Sequence, residues 1–209
     1  MEIAPLGEAA CIVRGFPAGE AWKAARRIGE LPLPGLRETA ACVASVGVYF
    51  DPDNWSEEAF ADEMAKLHWD DVAPGILHRI PVLLDGEDLN EASGAVHQLF
   101  ESDLTCWAVG FAPGFPYLGP LTGTLGEMAR RSTPRTQVPA GSVAVAAGQA
   151  CIYPDALPGG WNLVGRTPLR IADASSSRFA ISPGDQVRFY EIDQSIFAEL
   201  EGQWLGELI

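Results

Sequence analysis

Apolar residues recur one helical turn apart at Trp22, Ala25 and Ile28, and predict a helix over 18–31 that Pro32 stops. A second helix is expected behind Ser56. Its hydroxyl suits an N-cap, Glu57 and Glu58 occupy the first turn where the helix dipole favours acids, and Phe60, Met64 and Leu67 follow on one side. The apolar runs 11–13 and 44–50 (ASVGVYF) predict strands between these helices, which gives one sheet with helices on a face. A third helix is expected over 88–100, with Asp88 and Glu91 spaced as a capping box and Leu89, Ala92, Val96 and Leu99 as its apolar stripe.

The pattern changes from residue 110 to 184, where glycine and proline thicken and the apolar runs shorten. Strands are expected at 104–109, 142–147, 149–153, 161–165, 169–172, 178–181 and 186–192. Many short strands punctuated by Gly/Pro turns, among them Pro183-Gly184-Asp185, predict a barrel or sandwich. Ile196, Leu200 and Trp204 predict a short helix closing the chain within 193–209. The fold class is therefore α+β, a small α/β domain over residues 1–79 followed by an all-β domain over 80–209.

Composition narrows the function. A chain of 209 residues that is 47% hydrophobic can bury a core, and a formal charge of −14 disfavours nucleic acid and anionic membranes as partners. No apolar stretch is long enough for a membrane span, and the N-terminus lacks a basic region followed by an apolar one, so a cytoplasmic location is expected. Cys11, Cys42, Cys106 and Cys151 form no C-x-x-C pair and read as free thiols, with no metal site evident. The three histidines, His68, His78 and His97, all precede residue 98, which leaves the second half without an imidazole base.

Three segments could carry chemistry. Residues 110–119 (GFAPGFPYLG) combine Gly, Pro and aromatic rings in a rigid loop suited to a small-molecule pocket, or to a packed barrel corner. Residues 130–142 (RRSTPRTQVPAGS) open an arginine island: 130–170 hold Arg130, Arg131, Arg135, Arg166 and Arg170 against the single acid Asp155. Guanidinium groups bind carboxylate or phosphate bidentately, or pair with acids of the same chain. Residues 147–167 (AGQACIYPDALPGGWNLVGRT) offer the Gln149 amide, the Tyr153 hydroxyl and the Trp161 ring beside a Gly-Gly turn. The G-x-S-x-G, G-x-x-x-x-G-K and H-E-x-x-H signatures are all missing, and Ser142 has no downstream histidine to activate it.

Read in order, GFAPGFPYLG, RRSTPRTQVPAGSV, GQACIYP and PGGWNLVGRTPL resemble a known family. It comprises the B-type subunits of 5-oxoprolinase and allophanate hydrolase subunit 1, and includes the Kip-type inhibitors of a sporulation histidine kinase. The resemblance covers about residues 80–195 and extends more weakly to PLPGLRE and VYFDP. Ala129 and Leu99 stand where typical members carry proline and histidine. The resemblance implies a cyclophilin-like β-barrel after the α/β domain. It also implies a homologous barrel subunit as partner, with room for a third subunit, in an ATP-consuming complex that opens 5-oxoproline or a related amide. On that reading Arg131, Arg135 and Arg166 receive a carboxylate or phosphorylated group, Phe115, Tyr117 and Trp161 form the apolar wall, and Ser142 and Gln149 supply hydrogen bonds. The alternative it implies is a regulatory protein that inhibits a sensor histidine kinase.

Overall fold

The computed structural model describes residues 1–92 and 94–207 and divides into two compact units, Met1–Pro74 and Gly75–Ile209. In the first, strands β1 (Glu2–Pro5), β2 (Ala10–Arg14), β3 (Leu36–Ala41) and β4 (Ser45–Phe50) form an antiparallel sheet ordered β1-β2-β4-β3. Helix α1 (Ala21–Gly29) turns Trp22, Ala25 and Ile28 into one core with Val13, Val46 and Val48. Helix α2 (Glu57–Lys66) adds Phe60 and Met64 to that core, and Ser56 caps it by accepting from the Ala59 N–H at 3.2 Å. The flanking strands β1 and β3 escape the hydrophobic pattern because neither alternates cleanly and both are largely exposed or half-exposed, held by ladder hydrogen bonds to β2 and β4.

The second unit begins with β5 (Leu77–Val82), which the expected domain boundary at 79/80 would cut. It then runs through α3 (Leu89–Ala92), α4 (His97–Glu101), β6 (Leu104–Val109), β7 (Pro116–Gly119), α5 (Gly123–Gly126), β8 (Arg135–Val138), β9 (Ser142–Ala146) and β10 (Gln149–Ile152). After these come β11 (Leu157–Gly159), β12 (Asn162–Arg166), the short pair β13 (Ala172–Asp173) and β14 (Arg178–Phe179), β15 (Gln186–Glu191) and α6 (Gln194–Leu200). Seven strands form one sheet ordered β12-β9-β10-β7-β6-β15-β5. Its two edges meet where Leu83, just past β5, exchanges backbone hydrogen bonds of 2.8 and 2.9 Å with Arg166 at the end of β12. The sheet is thereby a nearly closed barrel, which leaves little open edge.

Alternation along the strands sorts the residues into two layers. Ile80, Cys106, Leu118, Val143, Val145, Ile152, Val164 and Phe189 point inward and fill the barrel. On the other face of β7, β9, β10 and β12 lie Tyr117, Ala144, Ala146, Cys151 and Leu163, so β9 is buried on both sides. The parallel pairing of β5 with β15 is pinned by Asp185, whose buried carboxylate accepts from the Ile76 and Ser182 N–H groups at 3.0 and 2.9 Å and meets His78 Nε2 at 3.1 Å.

Three expected elements differ. The single helix over 88–100 is instead α3 and α4 with a turn at 94–96 between them; Ser93, within the expected helix, lies outside the described residues. Gly94 disfavours helix there, and the Asp88 carboxylate is engaged by arginines and β12. The segment expected as a strand over 169–172 holds only the Arg170–Trp204 bridge and Ala172, the first residue of β13. In the closing helix Phe197 is the buried residue while Ile196 is exposed, and Trp204 packs beyond the helix end; Leu208 and Ile209 of the expected tail lie outside the described residues.

Candidate functional site

The aromatic cluster follows from side-chain size on the outer face of the sheet. Register places Tyr117 opposite Cys151 and Cys151 opposite Ala144, so small residues at the centre of the face leave room above them. Phe115, Tyr153 and Trp161 fill that room: Phe115 meets Tyr153 edge-on at 5.2 Å, and Trp161 at 6.5 Å. Ribbon β8–β11 contributes Val138 and Leu157 to the same cluster. Of the loop expected over 110–119, the second half is strand β7, and the first half is a tight turn closed by the Phe115 N–H donating to the Ala112 carbonyl at 3.1 Å. Phe111 sits in that turn with φ of 70° and an exposed ring, an unfavourable backbone for a bulky residue.

Beside this cluster opens a cavity of about 310 Å³. Phe111, Phe115, Tyr117 and Trp161 give its apolar wall together with two prolines, Arg130 and Arg131 its cations, and Tyr153 with Gly159 and Gly160 the remainder of its lining. The Arg131 N–H donates to the Gly160 carbonyl at 2.8 Å, which ties the arginine loop to the Gly-Gly turn. None of the lining side chains is a carboxylate or an imidazole.

Of the expected site residues, the cavity gathers Phe115, Tyr117, Arg131 and Trp161. Arg131 Nη1 lies 2.6 Å from Asp88, and Arg135 reaches the same carboxylate at 2.8 Å, Glu87 at 3.0 Å and the Trp161 carbonyl at 3.4 Å. Asp88 is buried and also accepts from the Leu163 N–H at 2.8 Å. Arg135 thus stands behind Trp161 as a support. Arg166 is paired with Asp85 and lies over the Phe197 ring at 4.9 Å, away from the cavity. Ser142 is buried at the start of β9 and lines a separate cavity with Asp85, Glu87 and Arg166, while Gln149 sits at the hairpin end opposite Ala146. Arg130 carries no ion pair among the described residues; its guanidinium lies 5.4 Å from the Trp161 ring centre and is exposed to solvent. Both arginines of the pair stand in the sequence, yet nothing in their order says which one faces Asp88.

A larger cavity of about 410 Å³ lies in the first unit, between β2 and α2, with Trp55 and Phe60 in its wall. Glu8 and Glu57 line it, so it carries the wrong sign for an anionic ligand. Among the described residues no group of three or more His, Cys, Asp or Glu is placed to hold a metal ion, and no helix is long and apolar enough to cross a membrane.

A small antiparallel α/β unit followed by a nearly closed barrel is the architecture of a carboxyltransferase-type module. Residues 1–181 match the family model for the carboxyltransferase domain, subdomain C and D, and the chain belongs to that family. It is 30% identical to the B-type subunit of 5-oxoprolinase from Bacillus subtilis (strain 168), with 92% of this chain and 93% of that protein covered. Over 40% of the chain it is 50% identical to the corresponding 5-oxoprolinase subunit of Escherichia coli O157:H7, of which the match covers 38%. The crystal structure of TTHA0988 superposes with a TM-score of 0.77 at 32% identity, over 88% of this chain and 40% of that one. The Kluyveromyces lactis urea amidolyase shares the fold, with a TM-score of 0.73 at 16% identity over 94% of this chain and 15% of that one. The chain therefore spans about two fifths of TTHA0988 and nearly all of the Bacillus subtilis relative.

Proposed function

We propose that this chain is a non-autonomous subunit of an ATP-dependent complex that hydrolyses a small amide, with 5-oxoproline as the substrate to test first. The observation that carries the reading is the match along nearly the whole chain to a protein named as a 5-oxoprolinase subunit. The cavity supports it. Opening a cyclic amide needs a polarised carbonyl and an activated water. The aromatic wall and Arg130, which has no ion pair among the described residues, suit a compact ligand with an apolar body and a carboxylate, whereas the lining offers no base to activate water. ATP use and water activation then fall to groups outside this cavity, in a homologous barrel subunit and a third subunit that complete the complex. This chain contributes binding and orientation, with desolvation by Phe115, Tyr117 and Trp161 strengthening the contact to the arginine.

The test is co-expression with those candidate partners and an assay of ATP-dependent glutamate release from 5-oxoproline. Turnover that requires this chain supports the reading. A complete, folded complex without turnover overturns it.

A further inference from the structure

Tyr153, a polar group in the wall of the aromatic cavity, is 1% exposed, and its ring is fixed edge-on against Phe115. No side-chain hydrogen bond engages its hydroxyl among the described residues, and the oxygen is not sealed from solvent, the one sealed side-chain polar atom without a partner there being Arg131 Nε. The hydroxyl lies against Gly159, where a Cβ would come within 2.0 Å of the oxygen. Gly159 also lines the cavity, so the hydroxyl stands at its wall. Burial pushes the Tyr153 phenol well above its ordinary value, which keeps the proton on the oxygen and leaves it a donor at neutral pH.

We propose that Tyr153 is the hydrogen-bond donor that orients the ligand: it donates to a carbonyl oxygen on one edge of a small, flat acyl ligand whose carboxylate faces Arg130. The proposal rests on the cavity being the ligand site and extends the reading above by fixing which end of the ligand goes where. A cyclic amide bearing a carboxylate has both acceptors, and the same ring without its oxygen has only one. Leaving a buried donor unpaired is costly, so the cavity discriminates against the ligand that lacks the oxygen. Gly159 belongs to the same device, because any side chain there would occupy the position of the hydroxyl.

The experiment is calorimetric titration of the full chain with 5-oxoproline and, as the ring lacking the oxygen, proline. The wild type is expected to bind 5-oxoproline at least about tenfold more tightly than proline. Tyr153→Phe is expected to weaken 5-oxoproline about tenfold and leave proline unchanged, with a melting temperature close to the wild type because no hydrogen bond within the chain is lost. Gly159→Ala is expected to follow Tyr153→Phe. As a readout that needs no variant, one tyrosine Cζ signal of the labelled wild type should move with 5-oxoproline and stay with proline. Wild-type affinity in Tyr153→Phe, or no binding of 5-oxoproline to the wild type, overturns the assignment. Turnover by the complete complex with an unchanged KM in Tyr153→Phe would remove the donor and leave the reaction standing. Tyr153-dependent binding without turnover would do the reverse.

Discussion

Arg135 Nη2 lies 2.8 Å from each carboxylate oxygen of Asp88. Arg131 and the Leu163 N–H share that carboxylate, so a buried acid before α3 holds the arginine loop and β12 together. Removing the acid would take the buried partner from two guanidinium groups, leaving Arg135 only the exposed Glu87 and the Trp161 carbonyl, and would strand a buried N–H. Asp88→Ala is expected to cost about 3–5 kcal/mol, as breaking a buried pair does. Arg166→Ala removes a more exposed pair with Asp85 and is expected to cost about 1 kcal/mol or less. Urea unfolding of the two variants checks the contrast, and equal losses would show that Asp88 is not the anchor.

The same geometry separates the neighbouring arginines. Arg130 is exposed and free of ion pairs among the described residues, and Arg131 is half-buried on Asp88. Arg130→Ala is expected to change stability by less than about 0.5 kcal/mol while weakening 5-oxoproline binding about tenfold. Arg131→Ala is expected to lower stability more than binding. Paired melting and titration measurements on both variants decide it, and the opposite pattern would return the anion to Arg131.

Much of this architecture is legible in the chain itself. Trp22, Ala25 and Ile28 repeat at helical spacing, and Ser56 precedes two acids, so α1 and α2 announce themselves locally. The all-β character of the second domain is visible in its Gly/Pro punctuation, which fits a barrel or a sandwich alike, and the aromatic cluster in the rings of Phe115, Tyr117 and Trp161. Other features depend on contacts between residues far apart in sequence. Asp88 looks like a helix cap because its spacing to Glu91 fits one, and only the fold brings it to arginines 43 and 47 positions away. For that reason the arginine island reads as an open anion site when much of it is internally paired. The strand at Pro116–Gly119 is hidden by its own terminal proline and glycine, which here flank a ladder supplied by β6 and β10. Tyr153 stands in view as a hydroxyl, but its burial against Gly159 is a tertiary fact.

The β9–β10 hairpin holds a local strain that substitution can relieve. Ala147 and Gly148 form its two-residue loop with φ of 48° and 78°, the geometry of a type I′ turn. Alanine is a poor occupant of the first position, asparagine a good one, and the Ala147 side chain is exposed. Ala147→Asn is expected to stabilise the chain by about 0.5–1 kcal/mol. A raised urea midpoint at unchanged slope would show it; a lowered midpoint would mean that the Ala147 N–H bond to the Met128 carbonyl, 2.8 Å, had been disturbed.

The four free cysteines divide by burial, and the division predicts both reactivity and pH dependence. Cys42 is exposed, whereas Cys11, Cys106 and Cys151 are buried. Burial raises the thiol pKa of all three, and that of Cys106 is pushed up to about 12. Since the thiolate is the reactive form, the native chain is expected to release one equivalent of chromophore from a disulfide reagent at pH 8, and four in urea. For stability the sign follows from proton counting. Between the unfolded value of 9.0 and about 12, the folded state holds a proton on Cys106 that the unfolded state has lost. Stability contributed by this thiol is therefore complete below pH 9 and declines as pH rises towards 12. Cys106→Ala or Cys106→Val should flatten that decline in urea unfolding measured across the window, and an alkaline slope as steep as in the wild type would assign the loss to other groups.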